Sequence, residues 1–233
     1  MDSKQVSRAI RAEIRPLLRE AGFSEFSTRS AWRFSGAKVD VVNFQSLGTY
    51  IASVIGCTAH SFGVNLGCFF TDVPLLYSNT AIRHKDGHCL PEESQCHFRG
   101  QLAKGIRQPE LQRNDIWCVD REGQNIQEVL EDVHSKLEYE AFCWFQRLEN
   151  LSEVLRVLIE DDSLMLGDIE SKVSLWGFGN NPSPIRHYLT GYFALKNGRL
   201  ELSERHLRAA LKSGCFDHIA NQIRIDIAKA SKN

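Results

Sequence analysis

Ser61-Phe62-Gly63-Val64-Asn65-Leu66-Gly67-Cys68-Phe69-Phe70 decides the fold class, because its large apolar residues recur at alternate positions. Phe62, Val64, Leu66, Cys68 and Phe70 share one side of an extended chain, and Ser61, Gly63, Asn65 and Gly67 share the other. That period of two marks a β-strand with one buried face. Working outward, Trp32 and Phe34 flank Arg33, and Phe98 and Leu102 flank Arg99 within Cys96 to Leu102. Val39 to Gln45 supplies a fourth run rich in β-branched and aromatic residues. Upstream, Val6, Ile10, Ile14, Leu17 and Ala21 recur every three or four residues, predicting a helix over 3–21 with one core-facing stripe. Pro16 predicts a kink or break in it and Gly22 its end. The expected fold is α+β: a four-stranded, mainly antiparallel sheet covered by helices, with a C-terminal helical extension.

The strand parities place Trp32, Phe34, Leu66, Phe98 and Leu102 inside and Arg33, Asn65, His97, Arg99 and Gln101 outside. Residues 71–95, with Asp72, Pro74, Asn79, Asp86-Gly87 and Pro91, show no sustained period and read as a loop or irregular insertion. Asn125-Ile126-Gln127-Glu128 has capping-box spacing and leads into a long amphipathic helix that passes Leu137 and Phe145 to Leu148. Leu151, Val154, Leu155 and Leu158 continue its period. Gly177 to Pro184 predicts a hinge, after which Ser183 caps a helix with Pro184 at its first position. The tail then reads as helix 184–196, a turn at Asn197-Gly198, helix 200–213, a stop at Gly214 and a last helix 217–230. The organisation is an α+β unit over 1–150, a connecting helical segment and hinge over 151–182, and a helical hairpin with a terminal helix over 183–233.

Two resemblances follow from these residues. The leading helix, Leu-Leu-x-x-x-Gly-Phe at Leu17 to Phe23, Trp32-x-Phe34, Val42-Asn43-Phe44-Gln45, Val64-Asn65-Leu66-Gly67 and Cys96-His97-Phe98-Arg99 together resemble the bacterial domain-of-unknown-function 4304 family. The resemblance runs over about residues 1 to 148, because Ile116-Trp117-Cys118-Val119 and the helix after it also match the family's ending. It implies a fold class and a bacterial origin and carries no activity. Separately, Gly191, Gly198, Ser203, Leu207 and Ala210 resemble the small and large positions of one tetratricopeptide-like helical hairpin. That pattern is departed from at His187, where an aromatic is usual, and at Cys215, where a proline is usual. One such unit has to pack on the main domain or on a partner.

A chain of 233 residues with 42% hydrophobic content can bury a sizeable core. A formal net charge of −1 excludes nucleic-acid binding by bulk basicity. Seven scattered cysteines read as buried free thiols of a reducing compartment, and charges break every apolar run of the N-terminus, so a soluble cytoplasmic protein with no membrane contact is expected.

Three sets of residues are candidates for function. Arg33, Asn43, Gln45, Asn65 and Arg99 would form a polar sheet face whose guanidiniums and amides could hold acidic groups of a partner protein, although an antiparallel sheet ordinarily shows water one polar face. Arg8, Arg11, Arg15 and Arg19 form a basic ridge on the first helix, a surface for phosphates or an acidic protein or simply its solvated side. His84, His88, Cys89 and Cys96 carry zinc-type donors but lack a recognised ligand spacing. Cys57-Thr58-Ala59-His60 brings a thiol near an imidazole in sequence alone. The expectation is a non-enzymatic protein-binding module without a cofactor, an immunity or accessory protein that binds a toxin or effector. The alternatives are a metal-dependent hydrolase or nuclease-like enzyme using the His/Cys set, and nucleic-acid contact through the first helix.

Overall fold

The structure is a computed structural model and describes residues 1–76, 81–108, 113–164 and 183–230. The first helix, α1 (Ser3–Glu20), opens with a capping box in which Asp2 accepts from the Gln5 N–H and the Gln5 side chain accepts from the Asp2 N–H. It buries Val6, Ile10, Ile14 and Leu18, each worth about 2 kcal/mol in removed apolar surface. The stripe therefore ends on Leu18 rather than Leu17. Pro16 does not break α1. The carbonyl it deprives of a donor belongs to Ala12, on the exposed side where water can replace the lost bond. Gly22 and Phe23 donate back to Arg19 and Leu18, the paired bonds of a Schellman stop.

The sheet has five strands rather than four, all antiparallel, in the order β1 (Glu25–Phe26), β2 (Ser30–Ser35), β3 (Lys38–Ser46), β4 (Phe62–Phe70) and β7 (Phe98–Gln101). A short helix, α2 (Thr49–Ile55), connects β3 to β4. The connection after β4 is not irregular throughout: β5 (Arg83–Lys85) and β6 (His88–Leu90) form a hairpin. Its two-residue turn is Asp86-Gly87, both at positive φ (50° and 81°), the backbone that matches strand twist.

Strand register corrects one parity. Trp32 lies opposite Val41, Val41 opposite Gly67, and Gly67 opposite Arg99, so these four share a face. Arg33 lies opposite Asp40, Asp40 opposite Cys68, and Cys68 opposite Phe98, which puts Arg33 on the helix-covered face. Both faces carry apolar cores. The larger joins α1, the sheet residues Val42, Val64, Leu66 and Phe98, and the C-terminal helices. The smaller packs Trp32, Val39, Val41 and Phe69 against Leu90 and Cys96, which come from β6 and the turn after it. A Trp-x-Phe pair thus reads as core correctly but belongs to the second core. His97 is likewise buried, not outside.

The long helix runs as α3 (Ile126–Lys136), a π turn (Leu137–Ala141) and α4 (Phe142–Arg147). Asn125 does not cap it with its side chain: Asn125 Oδ1 accepts from the Asp120 N–H and Nδ2 donates to the Cys118 carbonyl. Asp120 instead gathers the N–H groups of Gly123, Gln124 and Asn125. After α5 (Leu151–Leu164), the expected hinge from Gly177 lies outside the described residues up to 182. The tail forms α6 (Pro184–Lys196), α7 (Leu200–Lys212) and α8 (Ala220–Ala230), with Ser183 capping α6 through the Arg186 N–H. A Cβ on Gly191 would meet Leu207 side-chain atoms at 2.6 Å, so only glycine allows α6 and α7 to approach this closely.

Candidate functional site

The second sheet face is divided. Its apolar half lies beneath Leu90 and Cys96, and beside it runs a cross-strand row in which Ser30, Asn43, Asn65 and Gln101 stand opposite one another. Asn43 Nδ2 donates to Ser30 Oγ at 2.9 Å, and Asn65 Nδ2 donates to Gln45 Oε1 at 2.7 Å. These bonds hold the amides in register as a polar floor.

At the boundary between the two halves lies a cleft of about 450 Å³. Asn43, Gln45 and Trp32 belong to its floor strands, Arg29 and Arg83 line it, and the turn from Glu92 to Gln95 forms another wall. Trp32 is fixed by an Nε1–H bond to the Pro91 carbonyl at 2.8 Å, and the Arg83 guanidinium lies over its ring at 5.4 Å. Lys85 ties the hairpin to β1 through Glu25 at 2.6 Å. Glu92 and Gln95 close a reciprocal capping box, and Glu93 binds Arg99 at 2.6 Å. A Cβ on Gly67 would stand 2.5 Å from Cys96 Sγ, so the missing side chain lets this wall sit down on the sheet. Among the described residues, Arg29 and Arg83 form no ion pair.

The sequence-predicted face is therefore gathered in part. Asn43, Gln45 and Asn65 come together, whereas Arg99 does not line the cleft and gives its charge to the wall residue Glu93. Arg33 does not belong to it. Its Nε and Nη2 hold Asp40 at 2.9 and 2.8 Å, Lys38 Nζ stands 3.0 Å from the same carboxylate, and the Phe23 and Phe145 rings enclose the guanidinium. Burial pushes the Asp40 carboxyl up from the usual range against the pull of both cations. Arg29, Arg83 and Trp32 were missed. The turn dipeptide Asp86-Gly87 was the available signal, since a hairpin there brings Arg83 back over the sheet.

On the basic ridge, Arg15 donates to the Ser27 carbonyl, and Arg15 and Arg19 lie over the Phe26 ring at 5.1 and 5.2 Å. The zinc-type donors separate. His84 pairs across the hairpin with Cys89, His88 stacks on Phe34 at 4.3 Å, and Cys96 donates to the Glu92 carbonyl. Among the described residues, no three His, Cys, Asp or Glu side chains are placed to share a metal ion. His60 Nε2 bonds the Asp120 carbonyl, and burial pushes the Cys57 thiol up, the opposite of an activated nucleophile. Cys68, Cys96 and Cys118 are buried as expected, but Cys143 and Cys215 are exposed. No helix among the described residues is long and apolar enough to cross a membrane.

The family model described as Domain of unknown function (DUF4304) matches residues 14–147, from α1 through the sheet to α4. The chain belongs to the DUF4304 family. In this DUF4304 protein the matched region supplies every lining residue of the cleft. Neither the curated proteins nor the solved structures contain a match to the chain.

Proposed function

We propose that this DUF4304 protein is a non-enzymatic protein-binding module of a bacterial cytoplasm, an immunity or accessory protein that binds a toxin or effector through the cleft. The observation that carries the reading is the pair of guanidiniums, Arg29 and Arg83, set without ion pairs beside the hydrogen-bonded amides of Asn43 and Gln45. Guanidinium forks and amides recognise carboxylates and peptide groups by paired hydrogen bonds. The tetratricopeptide-like tail takes a supporting part in this reading, since α6 spends its aromatic residues on the core of its own chain.

A photo-activated cross-linking residue at Ser94, an exposed position lining the cleft, tests it in the protein's own cells. A discrete adduct with one protein should form from Ser94 and be absent from the exposed control position Glu122. No adduct, or the same adducts from both positions, refutes the reading.

A further inference from the structure

The basic ridge of α1 and the cleft, separate in sequence, meet at β1. The Arg15 guanidinium bonds the Ser27 carbonyl, and Ser27 is itself a rim residue of the cleft. From there the positive groups continue to Arg29 and, across the opening, Arg83. We infer that the ridge and the cleft form one continuous seat for an acidic, extended polypeptide segment of the partner. This rests on the protein-binding reading above and names the chemistry of what is bound.

Charge and hydrogen bonding favour that occupant. Among the described residues, Arg11, Arg15, Arg19, Arg29 and Arg83 form no ion pair with a carboxylate, whereas the acidic wall residue Glu93 is already neutralised by Arg99. Burial and its like-charged neighbours Arg11 and Arg19 push the Arg15 guanidinium down from its ordinary value, so this edge carries uncompensated positive potential. The floor offers Asn43 and Gln45 amides and the Ser30 hydroxyl, groups that pair with peptide N–H and C=O. A nucleic-acid strand fits less well. It carries a phosphate at every nucleotide, and the Glu92 carboxylate, which has no cation partner among the described residues, lines the cleft where such a backbone would have to pass. A peptide can place carboxylates only at the guanidiniums.

The test uses the full chain, labelled with nitrogen-15, titrated with poly-L-glutamate and, at matched charge concentration, with oligouridylate. Poly-glutamate should shift the Trp32 indole N–H, the Asn43 and Gln45 side-chain amides and the Arg15 and Arg19 Nε–H resonances along one saturating curve. Arg29→Ala with Arg83→Ala should weaken that binding by about tenfold or more, as loss of charge-assisted bonds does, and Arg121→Ala should leave it unchanged. Tighter binding of oligouridylate, shifts confined to α1, or equal affinity of the double variant overturns the inference. If Ser94 cross-links a protein while poly-glutamate fails to bind, the acidic-segment inference falls alone. If Ser94 cross-links nothing, the protein-binding reading falls and takes the inference with it.

Discussion

Acidification should loosen this protein through one histidine. His97 is fully buried; its Nδ1 accepts the Phe70 N–H at 3.0 Å, which leaves the ring proton on Nε2 to meet the Pro74 carbonyl at 3.0 Å. A second proton would have to enter at Nδ1, against the Phe70 N–H and without water. Burial accordingly pushes the His97 pKa down to about 4, from 6.5. Because the folded value is depressed, the unfolded chain takes up the proton first as pH falls. The stability from neutral His97 is whole above about pH 6.5 and is lost progressively toward pH 4. At 1.36 kcal/mol per unit, the loss is about 2 kcal/mol at pH 5 and about 3 kcal/mol at pH 4. Urea unfolding of wild type and His97→Gln at a series of pH values reads it directly. The variant should be less stable at pH 7 but lose less on acidification, by about those amounts. Parallel pH profiles for the two proteins would refute the assignment.

Arg33→Ala should destabilise rather than weaken binding. It removes one of two cations from a carboxylate whose side chain is 1% exposed, costing about 3 kcal/mol, the lower end for a broken buried pair because Lys38 remains. A melting curve should show a fall of about 6–12 °C for a chain of this size, and an unchanged melting temperature would put Arg33 back among the surface residues. Gly67→Ala should cost about 1–3 kcal/mol by driving a methyl into Cys96. Adding Cys96→Ala should recover more than half of that loss in the same denaturation assay, and simple additivity would show that the contact is not the cause.

Local signals served the fold well wherever one contact decided the outcome. Ser183-Pro184 capped its helix because the cap is made within one turn, and the alternation of β4 survived because both its neighbours read the same register. Asn125 failed as a cap because its side chain is engaged upstream, with Oδ1 accepting from the Asp120 N–H and Nδ2 donating to the Cys118 carbonyl. The polar face was half legible for a related reason. Asn43, Gln45 and Asn65 sit on strands with one plain parity, but β2 gives Ala31 to one core and Trp32 to the other, and which side faces α1 depends on a hairpin that folds back from residues 83–90. Arg29 and Arg83 gain meaning only through that return, a contact across more than fifty residues of chain.

The Pro74 carbonyl accepts from His97 and also from the Tyr188 hydroxyl, while Phe193 drives its ring against Phe70 and Phe98 at 4.9 and 5.4 Å. Residues beyond the family match thus plug a socket that the matched region leaves open. The unit that recurs as a family and the unit that is watertight are different lengths of chain. A DUF4304 chain that stopped at the end of α4 would need another stopper for that socket, borrowed from a neighbouring domain or from a second chain.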